Sequence, residues 1–251
     1  MHENPVVAFL LLLVAALYAS AGQAGATGYL AVLGFTGLDP VVMRSSALAL
    51  NVLVAAIGTV QFWRAGLLSW RALAPFLILG VPMSFAGGMV QLPAWAYFPA
   101  VGAILLLAAG RMAMLTAGRG GPGETAPPDA PGRAAAMASG GVIGFVSGLT
   151  GAGGGIFLAP LLMSNRWAGV RQAAAMAAAF NLVNSAAAFT GTLTSQPVVP
   201  SALPLWLAAV AIGGAAGSTL GARFLPERVL QGVLACLLAV AGVQLLLRAF
   251  G

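Results

Sequence analysis

Residues 147–155 combine hydroxyl side chains with closely spaced glycines. Glycine inside a helix costs about 1 kcal/mol relative to alanine, so four glycines among residues 151–155 favour an unwound segment. Such a segment frees backbone N–H groups, and the start of a following short helix adds more, which together form a cradle for a small anion. The donors predicted for this cradle are Gly151, Gly153, Gly154, Gly155 and Ile156.

A weaker copy of this run lies near the N-terminus, because residues 21–28 line up with 147–154 and supply Gly25, Thr27 and Gly28. The alternative function of such glycines is close packing between membrane helices. Contiguity and duplication favour a break that binds a ligand. A nucleotide-binding loop is disfavoured because no Gly-Lys-Ser/Thr follows.

Three asparagines, Asn51, Asn181 and Asn184, lie in apolar runs just after these glycine segments. An amide in hydrocarbon is costly unless it finds partners. Asn181 and Asn184 are three residues apart and share one helix face. They would donate to an oxyanion or tie helices together, and the sequence leaves both alternatives open.

Hydroxyl groups and one arginine complete the candidate site. Arg44 precedes a long apolar run and either attracts anions at the entrance or anchors the helix at the interface. Each hydroxyl is either a substrate donor or bonded within its own helix. The hydroxyl candidates are Thr27, Ser45, Ser46, Ser147 and Thr150.

Catalytic and metal chemistry find no support in the residue types. The five acids lie at predicted helix ends, in loops or in the linker, and His2 and Cys236 are the only residues of their kinds. No nucleophile–base pair and no metal-ligand cluster results. We therefore predict no catalytic residue, no metal, no cofactor and no enzymatic activity. If transport is proton-linked, the proton travels on the substrate, because no intramembrane carboxylate is available to carry it.

Composition predicts an all-α integral membrane protein. The chain is 60% hydrophobic and 6% charged, far below the charged share of a soluble surface. About eight runs are long enough to cross a bilayer, and two short runs, 28–38 and 154–163, follow the glycine segments. The long runs are 5–22, 43–63, 70–90, 94–115, 134–149, 170–192, 201–222 and 227–249.

The order of features repeats, which divides the chain into a first membrane repeat at 1–115, a Pro/Gly-rich linker at 116–133 and a second repeat at 134–251. Each half crosses an odd number of times, so the halves are predicted to be inverted with respect to each other. With both termini outside, nine of eleven arginines are cytoplasmic, as the positive-inside rule requires. These nine are Arg64, Arg71, Arg111, Arg119, Arg133, Arg166, Arg171, Arg223 and Arg228.

Residues 145–161 resemble the signature of the sulfite exporter TauE/SafE family, also called TSUP, and residues 47–55 and 62–66 are similar too. The resemblance covers nearly the whole chain. It implies a secondary transporter of sulfite, sulfonates or related anions. Ala26-Thr27-Gly28 stands where the family has Gly-Gly-Gly, which makes the two half-sites unequal.

The combined prediction is an inner-membrane transporter of a small sulfur-containing anion, with N-out and C-out termini and two broken helices that meet near the midplane. The alternatives are a non-transporting scaffold or assembly subunit, whose glycines serve packing only, and a channel. The predicted partners are the small anion and the lipid bilayer. Nucleic acid is not expected to bind, and a homodimer is left open as an alternative.

Overall fold

The computed structural model describes residues 5–20, 23–116, 131–224 and 227–250, and these residues form ten α-helices without a β-strand. The helices are α1 (Pro5–Ser20), α2 (Ala26–Gly34), α3 (Pro40–Arg64), α4 (Trp70–Met89), α5 (Ala94–Thr116), α6 (Arg133–Thr150), α7 (Gly155–Ser164), α8 (Val170–Ser195), α9 (Leu203–Phe224) and α10 (Glu227–Phe250).

The order of long and short helices in α1–α5 repeats in α6–α10. The second helix of each series is short, with 9 residues in α2 and 10 in α7. At 1.5 Å per residue these helices are roughly 14 and 15 Å long, half of a hydrocarbon core of about 30 Å. Neither short helix can cross a bilayer alone.

Within the described residues, four helices are long and apolar enough to span a membrane: Pro40–Arg64, Trp70–Met89, Ala94–Arg111 and Arg171–Ser195. Shorter apolar stretches occur at Pro5–Ala19, Leu203–Ser218 and Leu238–Arg248. The all-helical membrane fold is therefore confirmed, whereas the expected number of eight long spans stays a prediction.

Helix ends follow local chemistry. Pro40 starts α3 three residues earlier than its apolar run begins, because a proline at the first helical position has the required φ and lacks an N–H that would be unpaired there. Ser69 caps α4 by accepting a hydrogen bond from the Ala72 N–H at 3.4 Å. The predicted linker lies largely outside the described residues, with α5 ending at Thr116 and α6 beginning at Arg133.

Glycines let two pairs of helices pack backbone to backbone. A Cβ at Gly140, Gly144 or Gly148 of α6 would collide with the carbonyl oxygens of Phe76, Gly80 and Ser84 in α4. The residue numbers of the contacting positions increase together in the two helices, so α4 and α6 run parallel. Gly213 and Gly217 of α9 meet Leu12 and Ala16 of α1 in the same way. Each pair joins the first helix of one series to the fourth helix of the other.

Equivalent helices of the two series meet antiparallel. Ser45, near the start of α3, donates to the carbonyl of Val198 beyond the end of α8 at 3.1 Å. Further along, Asn51 of α3 bonds Asn181 and Ser185 of α8. α5 and α10 likewise meet with their directions reversed, since Arg248 lies 4.6 Å above the Phe98 ring and Gly102 meets Gly242.

Candidate functional site

Each glycine segment contains a short loop that interrupts the helical structure. The first loop, residues 23–25, precedes α2, and the second, residues 151–154, precedes α7. Gly25 has φ 87°, and Gly151 and Gly153 have φ 78° and 75°. This left-handed conformation costs a residue with a Cβ about 1–2 kcal/mol. Gly25 and Gly151 are paired when residues 21–28 are aligned with 147–154, so the same conformation recurs at corresponding points of the two segments.

The unwound segments are shorter than the sequence predicts. A buried N–H without a partner is costly, so the helices continue as far as the left-handed glycines allow. α2 begins at Ala26, and α7 begins one residue before Ile156. Thr27 lies in α2, Thr150 ends α6 and Gly155 starts α7, whereas Gly28, Ser147 and Ile156 are helical as the predicted runs require.

Both short helices begin at one point inside the protein. A Cβ on Gly153 would lie 2.6 Å from Asn181 Oδ1, 2.9 Å from the Ala26 Cβ and 3.1 Å from Asn51 Nδ2. The N–H groups in the first turn of a helix lack acceptors within that helix, and the helix dipole adds positive potential there. Two helix N-termini therefore converge on the pair Asn51 and Asn181.

This asparagine pair bridges α3 and α8. Asn51 Nδ2 donates to Asn181 Oδ1 at 3.0 Å and to Ser185 Oγ at 2.7 Å, and Asn181 Nδ2 donates to Asn51 Oδ1 at 3.3 Å. The Gly155 N–H points at Asn181 Oδ1 at 3.5 Å. Asn51 is fully buried and Asn181 nearly so, hence these bonds hold two long helices together at the level of the breaks.

Asn184 lies one turn further along α8 and is differently placed. Its side chain is fully buried, and its Nδ2 would be 3.2 Å from a Cβ on Gly154. The Phe180 ring packs on the same glycine, 2.6 Å from that Cβ position. Asn184 therefore faces the residue that precedes α7.

Arg44 is buried, with 2% of its surface exposed. Its guanidinium donates to the carbonyls of Val90 at 2.6 Å, Gly88 at 3.0 Å and Leu149 at 3.3 Å, and its Cγ lies 3.0 Å from a Cβ position on Gly151. Interfacial anchoring does not fit a side chain enclosed by protein. Arg44 thus places a buried cation against Gly151 of the second break.

The hydroxyl candidates fall into two groups. Thr150 Oγ1 donates to the Val146 carbonyl at 2.7 Å, Ser45 Oγ to the carbonyls of Val42 and Val198, and Thr27 Oγ1 pairs with the Tyr18 hydroxyl at 3.0 Å. Ser46 and Ser147 are fully buried, and their hydroxyls lack a partner among the described residues.

Unpaired polar atoms concentrate around the second break. Within the described parts of the chain, eight buried side-chain N or O atoms lack a hydrogen-bond partner, and five of them belong to residues singled out from the sequence. Such atoms are rare in folded proteins. Arg44 and Asn184 contact this break, and Ser147 lies one turn before it. The five are Arg44 Nε, Ser46 Oγ, Ser147 Oγ, Asn184 Nδ2 and Asn184 Oδ1.

A partly open cavity of about 220 Å³ lies between the second half of α3 and α9. Its inner wall includes Gln23 and Ala24 of the first break and Ala178 of α8. Ala178 is one turn from Asn181, so the cavity extends towards the junction of the breaks. Gln61 donates to Ser218 Oγ across it at 2.7 Å.

Sequence reasoning missed four contributors. Ser185 is four residues after Asn181 and thus on its face, a spacing that identifies it in retrospect. Ser84 Oγ holds the Asn184 carbonyl at 2.8 Å, and the Tyr97 hydroxyl holds that of Thr150 at 3.1 Å. Phe180 covers Gly154. These three contacts depend on tertiary packing and have no local signal.

The fold and the site thus define a multi-pass helical membrane protein with a polar site built at two broken helices. Among the described residues, no group of three His, Cys, Asp or Glu side chains is placed to hold a metal ion. Residues 7–245 match the family model described as Sulfite exporter TauE/SafE.

The chain belongs to this family, which confirms the resemblance seen in the sequence. It is also similar to a protein of Sinorhizobium fredii (strain NBRC 101917 / NGR234) named as the probable membrane transporter protein y4hK, at 45% identity over 240 residues, covering 96% of this chain and 97% of the relative. No solved structure matches the chain at a significant level. The protein is a membrane transporter of the TauE/SafE type with a small-molecule substrate.

Proposed function

We propose that the chain is a secondary transporter that moves a small sulfur-containing anion across a bacterial inner membrane by alternating access. The observation that carries this proposal is the convergence of the N-termini of α2 and α7 at Asn51 and Asn181. Half-helices that end at the middle of a transporter present their positive ends to anionic substrates. The family description names sulfite, which has the size and charge for such a site.

The electrostatics of the site suit an anion. Arg44 brings a permanent positive charge, and the hydrogen bonds described for its guanidinium go to neutral carbonyls. A buried charge without an opposite charge is expensive, so a bound anion would stabilise it. The buried hydroxyls of Ser46 and Ser147 and the amide of Asn184 offer further donors.

An inverted repeat is supported by the antiparallel contacts of α3 with α8 and of α5 with α10, because equivalent helices of inverted halves run in opposite directions. The Gln196 amide donates to Gln91 at 2.9 Å, which puts the loops after α8 and α4 on one side. The arginine distribution assigns that side to the exterior, with both termini outside.

Two equivalent interfaces differ in a way that suits alternating access. The alignment of Asn51 with Asn181 makes Gly58 of α3 equivalent to Ala188 of α8. The Ala188 carbonyl is packed directly against Gly88 of α4, whereas a Cβ on Gly58 would meet nothing within 4 Å. One interface is closed near the exterior loops, and its counterpart holds the cavity. Exchanging these two arrangements would move the opening to the other side of the site.

The first test is uptake of radiolabelled sulfite into proteoliposomes by the Gly154→Val variant. A Cβ at Gly154 would press on the Phe180 ring, and the branched side chain would occupy the space before α7. We expect loss of uptake while folded protein remains in the membrane. The control is Gly169→Val, whose Cβ meets nothing within 4 Å. Normal uptake by Gly154→Val would refute the site, and a scaffold subunit would bind neither sulfite nor a sulfonate.

The second test probes the two interfaces. Cys236, which is exposed, is first replaced by serine. Gly58→Cys and Ala188→Cys are then treated with a membrane-impermeant maleimide from either side. We expect labelling at position 58 from the cytoplasm alone and protection at position 188. Labelling of position 58 from the exterior would contradict the assigned orientation.

A further inference from the structure

Asn184 holds a donor and an acceptor that nothing in the described protein satisfies. Its side chain is 0% exposed, and neither Nδ2 nor Oδ1 has a hydrogen-bond partner in the described residues. Its own backbone carbonyl is bonded, accepting from Ser84 Oγ at 2.8 Å. The helix is therefore well fixed at this point, while the amide group is left open.

The fold itself does not require an amide here. The alignment that pairs Asn51 with Asn181 pairs Val54 with Asn184, and Val54 is 2% exposed at the equivalent place in α3. A buried polar group that loses its partners is destabilising, whereas an apolar residue of similar size at such a place is not. Asn184 thus serves something other than packing.

The surroundings of the amide indicate what it contacts. Nδ2 would lie 3.2 Å from a Cβ on Gly154, the residue before α7, so the amide faces the N-terminus of this ten-residue helix. The first-turn N–H groups and Nδ2 are all donors, and they suit the oxygens of an anion. Oδ1 is a hydrogen-bond acceptor. A fully ionised anion has no hydrogen to donate to it, and its lone pairs would repel this oxygen.

Resting on the proposed function, we propose that Asn184 selects a monoanion that carries its own hydrogen-bond donor, which Asn184 Oδ1 accepts while Nδ2 and the α7 N–H groups hold the anionic oxygens. The donor is the O–H of a singly protonated inorganic oxyanion or the O–H of an organic sulfonate. Asparagine, unlike a carboxylate, keeps this preference without its own charge changing.

None of the helices around this site carries a histidine, the side chain whose charge ordinarily changes between pH 5 and 8. The helices that pack on α8 are α3, α4, α6 and α7, and their ionisable groups are arginines apart from one acid before α3. A pH profile of transport therefore reports the substrate. The groups on these helices, at their ends and on α8 itself are Asp39, Arg44, Arg64, Arg71, Arg133, Arg166 and Arg171.

The experiment uses the full-length protein in proteoliposomes. Uptake of radiolabelled sulfite is measured from mildly acidic to mildly alkaline pH, in competition with sulfate, methanesulfonate or 2-hydroxyethanesulfonate. We expect uptake to follow the singly protonated fraction of sulfite, and we expect sulfate and methanesulfonate to compete at least about tenfold more weakly than an anion with a donor, a factor that corresponds to one lost hydrogen bond. Competition by the hydroxy-sulfonate identifies the organic source of the donor, and its failure beside pH-dependent sulfite uptake identifies the inorganic one.

Asn184→Val, which installs the residue of the equivalent position, should remove this preference and flatten the pH profile while keeping folded protein. The matched control is Asn165→Val, at an exposed amide beyond α7. Equal competition by methanesulfonate in the unaltered protein, or an unchanged preference in Asn184→Val, would overturn the inference. Absence of uptake for every anion would instead reject the proposed function itself.

Discussion

Gly153 lets three elements approach one another because it has no side chain. With φ 75° it turns the chain, and its missing Cβ leaves room for Asn181 Oδ1 and Asn51 Nδ2. Alanine at this position would be strained by its φ and obstructed by the asparagines. The residue thus explains why the second break has a glycine where the first repeat has Thr27, which is already helical.

Asn51 and Asn181 permit a test that separates structure from transport. Asn51→Leu leaves a buried amide without its partner and should lower the free energy of unfolding by about 1–3 kcal/mol. Replacing both residues by leucine removes the Asn181 amide that the single variant leaves without its partner, so we expect much of the stability to return. Sulfite uptake should stay lost in the double variant. Thermal unfolding in detergent and uptake in proteoliposomes are measured on the same preparations.

A purely structural role of Asn51 and Asn181 predicts a different result for the double variant. If the asparagines served only to hold α3 against α8, the stable double variant would transport sulfite again. Ser185 stays in place in all variants, so its bond to Asn51 at 2.7 Å is lost equally in the single and double variants.

The sequence predicted the candidate site residues better than it predicted the groups that those residues contact. The breaks at Gly25, Gly151 and Gly153 could be located because glycine lowers helix stability locally, and its position is read directly from the sequence. The burial of Arg44 could not be predicted, because its acceptors are carbonyls at Gly88, Val90 and Leu149, far along the chain. Carbonyls are present at every residue and leave no sequence signal.

Among the elements, the parallel pair α4 and α6 depends most on glycine. A leucine at Gly148 would meet the Ser84 carbonyl and the Gly88 N–H, which are backbone atoms that cannot turn aside. We expect Gly148→Leu to destabilise the protein by about 3 kcal/mol or more. Overpacking against side chains, which can move, already costs about 1–3 kcal/mol. Thermal unfolding measures the change.

The control for this variant is Gly110→Leu. Gly110 lies on the exposed side of α5, and a Cβ there meets nothing within 4 Å. An equal loss of stability in both variants would contradict the assignment, because the effect would then reflect leucine in a helix and not contact with α4.

Helix positions were largely predictable, because apolar runs and proline or glycine punctuation are local. The starts of α3 and α2 were predicted too late, since Pro40 and Ala26 lie outside the apolar core of their runs. Which helices pair was not predictable. Glycine spacing in α6 predicts a close neighbour but does not say that the neighbour is α4.

For the whole molecule, the orientation is a measurable prediction. A reporter active only in the exterior compartment, fused after Gly251, should be active, and a reporter active only in the cytoplasm should be silent there. Fusions within 117–130 should give the reverse result, because this segment follows an odd number of crossings. The same reporter active at both points would exclude an odd number of crossings in the second half.

The pairing of α1 with α9 and of α4 with α6 has a consequence for biogenesis. When the ribosome has completed α5, the first half has neither α6 nor α9, so the backbone faces of α1 and α4 still border lipid or the insertion machinery. Burial of both faces must wait for the second half. The protein therefore matures as one interlocked unit only after its second half has been inserted.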